Sequence, residues 1–94
     1  MRIISKRRLR EFWNVHPDAQ ESLEAWYRTA KSAAWKNLAE TRAVYPHADG
    51  VGGNTVFNIR GNTYRLIVSI EYALQIIYVR SVLTHREYDK GAWR

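Results

Sequence analysis

The chain has 94 residues, 46% hydrophobic and 26% charged, a size that suits one small domain over residues 1–94 and leaves no room for a second core. Fifteen basic residues against nine acidic ones give a formal charge of +6, and eleven of the fifteen are arginine. No cysteine is present, which excludes a disulfide framework, and no apolar run of about 18 residues offers a membrane span.

Arg2-Ile3-Ile4 reads as a short opening strand. The start through Arg8 lacks the apolar stretch of a secretion signal, so the expected location is the cytoplasm, with no membrane partner. Lys6 to His16 places Leu9, Phe12, Trp13 and His16 at helical spacing and ends at Pro17. Asp18 followed by Glu21 resembles a capping box for a second helix whose apolar stripe is Leu23, Trp26, Tyr27 and Ala30. Trp35, Leu38 and Ala39 predict a further helical piece reaching about Val44, before Pro46. Residues 47–54 turn to glycine, aspartate and asparagine and read as a loop. Its glycines match neither a dinucleotide fingerprint nor a P-loop.

From Thr55 the period becomes two. Phe57 and Ile59 alternate with Val56, Asn58 and Arg60, and Gly61-Asn62 is a plausible two-residue turn. Tyr64, Leu66, Val68 and Ile70 then alternate with Thr63, Arg65, Ile67, Ser69 and Glu71. A third strand is expected over Leu74 to Leu83. The first turn sets Asn58 opposite Arg65, and a turn at Tyr72-Ala73 would set Arg65 opposite Arg80, giving a basic row on one face and Leu66, Val68, Ile77 and Val79 on the other.

Arginine forks match phosphate oxygens bidentately and stack on bases, so the arginine skew favours nucleic acid or an acidic protein as partner; a merely soluble basic domain is the plain alternative. Arg65, His85 and Tyr88 are the residues suited to phosphodiester chemistry. No carboxylate cluster suggests a metal, so catalysis is expected from side chains alone, without metal or cofactor. Each has a structural reading as well. Arg65 can be a sheet arginine neutralised by Glu71, Glu87 or Asp89. His85 can be a surface residue, although histidine is the usual acid or base near neutral pH. Tyr88 can pack, stack on a base or donate a hydrogen bond. His16, Trp13, Trp26 and Trp35 fall on apolar helical positions and read as core, whereas Trp93 has no periodic reason to be buried.

The segments Val56-Phe57-Asn58-Ile59-Arg60-Gly61-Asn62-Thr63-Tyr64-Arg65-Leu66 and Ile77 through Leu83-Thr84-His85-Arg86-Glu87-Tyr88-Asp89 resemble the HigB-type toxins of bacterial type II toxin-antitoxin systems, members of the RelE-like mRNA interferase superfamily. The opening Met1-Arg2-Ile3-Ile4-Ser5 and Ala43-Val44-Tyr45-Pro46 also fit that pattern. The resemblance implies an α+β, RelE-like fold in which N-terminal helices pack on one face of a small, curved, mostly antiparallel sheet. It implies an endoribonuclease acting on mRNA, commonly at the ribosome, restrained by an antitoxin of the helix-turn-helix HigA type through which the complex reaches its operator DNA.

Position by position, the resemblance makes Arg65 the holder of the scissile phosphate and gives His85 and Tyr88 the acid-base and orienting positions. Relatives often carry lysines on the strand before the arginine, where this chain has Val56 and Asn58. Cross-strand geometry and local charge add Asn58, Arg60, Arg80 and Arg86 as supplementary RNA contacts. A non-catalytic RNA-binding domain and a basic protein-interaction module are the competing functions.

Overall fold

Two helical stripes and three alternating strands bury one common core. The computed structural model describes residues 1–91 and 93. In chain order it contains β1 (Arg2–Ile4), α1 (Lys6–Val15), a 3₁₀ turn (Pro17–Ala19), α2 (Gln20–Ser32), α3 (Leu38–Val44), β2 (Asp49–Val51), β3 (Asn54–Ile59), β4 (Tyr64–Glu71), β5 (Ile76–Thr84) and α4 (His85–Asp89). Leu9 and Trp13 of α1, and Leu23, Trp26 and Ala30 of α2, meet Phe57, Ile59, Tyr64, Leu66, Val68, Ile77 and Val79 of the sheet. Phe57 is the hub: the Trp26 ring meets it edge-on at 5.5 Å, and Tyr45 does so at 5.3 Å. Trp35, expected inside a helix, lies before α3 yet is buried and stacks on Phe57 at 6.4 Å. Helix α3 starts only where the Asn37 side chain accepts the Glu40 backbone N–H at 2.9 Å.

The sheet order is β1-β5-β4-β3-β2, with β1 parallel to β5 and every other pair antiparallel. This is the α+β arrangement of helices on a mostly antiparallel sheet that the resemblance implied.

Three local expectations need correction. Residues 47–54 are not a plain loop, because β2 pairs with β3 in the register Asp49 to Val56. Gly52 and Gly53, both at positive φ, make the turn between them. Three residues are too few to show alternation. Asp18 caps no helix, since α2 begins from Ala19 with no side-chain cap. Its carboxylate instead accepts the Tyr64 hydroxyl at 2.6 Å and faces Arg60 at 3.5 Å. That bond, with burial behind it, raises the Tyr64 hydroxyl pKa above its usual value.

The third correction concerns the basic row. The turn after β4 runs to Gln75, at φ 59, whose side-chain amide donates to the carbonyls of Trp35 and Tyr72 at 2.7 and 2.8 Å. Glu71 therefore pairs with Ile76 rather than Leu74, and a bulge at Ile67/Val68 shifts the register again. Arg65 ends opposite Leu83, not Arg80. The other predicted pair, Asn58 with Arg65, is present. The face carrying Arg65 holds no row of arginines: beyond Asn58 it continues with Val56 and Ile67, both buried.

Candidate active site

Arg65 sits near the start of β4 and is only 9% exposed. A buried guanidinium is costly unless it is hydrogen-bonded, and a carboxylate is the usual partner. Here every acceptor is neutral. Nη1 donates to the backbone carbonyls of Asn62 and Tyr64 at 3.2 and 3.1 Å, and Nη2 donates to the Asn62 side-chain oxygen at 2.5 Å. These are three hydrogen bonds from a group with five N–H donors. Among the described residues no carboxylate forms an ion pair with it. The acids that the sequence offered as neutralisers are used elsewhere or lie apart. Glu87 accepts the Thr84 backbone N–H at 3.0 Å, and Asp89 faces His85.

The third strand ends at Thr84, one residue past the Leu83 expected, and His85 and Tyr88 follow it on α4. Thr84 and Glu87 form a reciprocal capping box, the Thr84 hydroxyl accepting the Glu87 N–H at 3.2 Å. The Thr-x-x-Glu spacing is legible in the sequence. This helix start aims Tyr88 back at the sheet, where its ring lies 5.4 Å from the Arg65 guanidinium carbon. On Tyr88, Trp93 stacks at 4.9 Å and 18°, with its indole N–H donating to the Tyr88 carbonyl at 3.0 Å. The side chain that had no periodic reason for burial thus completes a layered stack.

His85 faces the Asp89 carboxylate one turn on, Nδ1 to Oδ2 at 3.0 Å, with 45% of its side chain exposed. Nε2 is then the ring nitrogen available for proton exchange. Its backbone N–H donates to the Thr63 carbonyl at 3.2 Å, tying α4 to the turn that also holds Arg65. Sequence reading missed Asn62 as a partner of Arg65 and Asp89 as a partner of His85.

The remaining candidates divide. Asn58 lies beside Arg65, half-buried. Arg86 is exposed on α4 and has no ion pair among the described residues. Arg60 turns toward Asp18. Arg80 lies away from Arg65 with its guanidinium carbon 5.4 Å from the Tyr78 ring, and it helps to line an open groove with Arg8, Phe12, His16 and Glu87. His16 itself stacks on Phe12 at 4.5 Å, the packed role expected of it.

The capping box makes α4 acid-sensitive. Hydrogen bonds from the Thr84 backbone and side chain lower the Glu87 carboxyl pKa from its usual 4.5. A carboxylate with a depressed folded pKa stabilises the fold fully above the unfolded value, and that contribution is lost as the pH falls through the folded value. Protection of the His85–Asp89 amides from hydrogen exchange, taken relative to the intrinsic rate at each pH, should fall below about pH 4.5. Thr84→Ala should produce the same loss of protection at neutral pH, at a cost of about 1 kcal/mol. Unchanged exchange in that variant would show that α4 is held by its stack rather than its cap.

Residues 19–91 match the HigB toxin family, described as the RelE-like toxic component of a toxin-antitoxin system. The chain belongs to this family. It is 29% identical over 92 residues to the mRNA interferase toxin HigB of Escherichia coli K12, covering 95% of this chain and 88% of that relative. The mRNA interferase HigB of Shigella flexneri matches to the same extent. The mRNA interferase HigB of Escherichia coli O6:H1 is 29% identical over 93 residues, covering 96% of this chain and 90% of the relative. The mostly antiparallel sheet with its N-terminal helices is thus a RelE-like fold, and its toxic role in a HigB system implies an antitoxin partner.

Proposed function

We propose that the chain is a metal-independent endoribonuclease that cleaves mRNA on the translating ribosome, stopping translation and growth until its antitoxin binds it. One observation carries the reading: Arg65 is a buried cation with neutral partners, covered on one side by Tyr88 and joined through the 60–63 turn to the helix that presents His85. A phosphate oxygen supplies the anion that the described residues do not.

RNA carries its own nucleophile. A base removes the 2′-hydroxyl proton, the 2′-oxygen attacks the adjacent phosphorus, and the bond from phosphorus to the 5′-oxygen breaks as an acid returns a proton to that oxygen. The products are a 2′,3′-cyclic phosphate, which water can open to a 3′-phosphate, and a 5′-hydroxyl. Arg65 holds the phosphate and offsets the charge that builds on its oxygens. His85 transfers a proton through Nε2, oriented by Asp89, and Tyr88 orients the substrate or shares the transfer. Asn58 and Arg86 contact RNA beside Arg65, while Arg60 and Arg80 meet phosphates further along.

The antitoxin is of the helix-turn-helix HigA type, and operator DNA is reached only through it. Induced expression in the cytoplasm should arrest growth and create new mRNA 5′ ends, mapped by primer extension and phased with codons. Arrest without new ends would support an RNA-binding domain that does not cut. Ends with no codon phase would remove the ribosome from the proposal.

A further inference from the structure

Asn62 is an exposed turn residue that does two things to a buried one. Its backbone carbonyl takes Nη1 of Arg65 at 3.2 Å and its side-chain oxygen takes Nη2 at 2.5 Å, so a single residue fixes the guanidinium plane from two points. The turn is itself set in place. Arg60 and Gly61 both adopt positive φ, the Thr63 N–H donates to the Arg60 carbonyl at 3.2 Å, and Asp18 holds Arg60 at 3.5 Å and the Tyr64 hydroxyl at 2.6 Å. On its other side the Thr63 carbonyl takes the His85 N–H.

We infer that Asn62 is a positioning residue that orients Arg65 for a phosphodiester while leaving its positive charge unneutralised. The inference rests on the proposed role of Arg65 as the phosphate holder. Aspartate in the same place could make the same two contacts, and its charge-assisted bond would be stronger. As a structural clamp aspartate is therefore the better choice. As a partner for an arginine that must meet a phosphate it is the worse one, because it cancels the charge that the substrate needs. The amide keeps the fork in register and leaves two donors unclaimed by the described residues.

The opposed signs make the test. Asn62→Asp should unfold at an equal or higher temperature than the parent. Its single-turnover cleavage of mRNA in translating ribosome complexes should fall about 10²-fold. Binding to a 2′-O-methyl RNA oligonucleotide, which cannot be cut, should lose one phosphate contact, reducing the slope of log K against log salt by about 0.7. Asn62→Ala keeps the backbone contact and the charge, so its salt slope should stay while cleavage falls by about 10- to 10²-fold through misplacement. Parental cleavage by either variant overturns the inference, as does a loss of thermal stability in Asn62→Asp that parallels its loss of activity. Arg65→Ala run beside them separates the two levels. If it cleaves normally, the reading of Arg65 has failed; if it is dead while both Asn62 variants are active, only the role of Asn62 has.

Discussion

Arg65→Ala is expected to lower mRNA cleavage by about 10³-fold, the upper end of the effect of removing one positioned donor to developing charge, and to leave the protein folded. An arginine that serves the fold is normally neutralised, and breaking such a buried pair is strongly destabilising because it strands the partner's charge. Among the described residues no partner charge is stranded, since the acceptors are the Asn62 and Tyr64 oxygens and the Tyr88 ring lies beside the guanidinium. The loss should therefore fall on activity far more than on the thermal midpoint. Arg65→Lys refines the point. It keeps a positive charge but not the planar fork, so it should retain part of the RNA affinity and lose about 10²-fold in rate. Thermal unfolding and single-turnover cleavage, measured on both variants, decide the matter. A variant that loses stability and activity in step would make Arg65 a structural arginine.

What the sequence revealed of this site depended on the range of each interaction. Phe57, Ile59, Tyr64, Leu66 and Val68 announce two strands through alternation, and the short Gly61-Asn62 turn is enough to place Asn58 against Arg65. The pairing of Arg65 with Arg80 failed because it depended on a turn whose length is set by Gln75 reaching Trp35, 40 residues away, and on a bulge that alternation cannot register. Asp18 misled for the same reason. Its local spacing fits a cap, but Tyr64, 46 residues on, takes the carboxylate. The central feature, a buried arginine with no carboxylate partner among the described residues, was open in the sequence because three acids lay within reach of Arg65. Two of them are drawn off by nearby partners, Glu87 by Thr84 at the helix cap and Asp89 by His85 on α4, and only the folded chain shows it.

His85→Ala is the second large effect expected, a fall of about 10²- to 10⁴-fold in cleavage, the usual contribution of one general acid or base. The fold should not suffer, because the ring is substantially exposed and the link to Thr63 runs through the backbone N–H, which alanine keeps. The contact of Nδ1 with Asp89 at 3.0 Å occupies that nitrogen, so in the proposed mechanism Nε2 alone has to serve. Whether it gives or takes the proton is decided by the leaving group. A substrate with sulfur in place of the 5′-bridging oxygen expels a thiolate that needs no protonation. If His85 is the acid, this substrate restores His85→Ala toward the parental rate and leaves Tyr88→Phe as it was. If His85 is the base, the 2′-hydroxyl still has to be deprotonated and the variant stays slow on both substrates. A His85→Ala protein that cuts the ordinary RNA at the parental rate removes His85 from the reaction, and proton transfer then falls to Tyr88, held between Arg65 and Trp93.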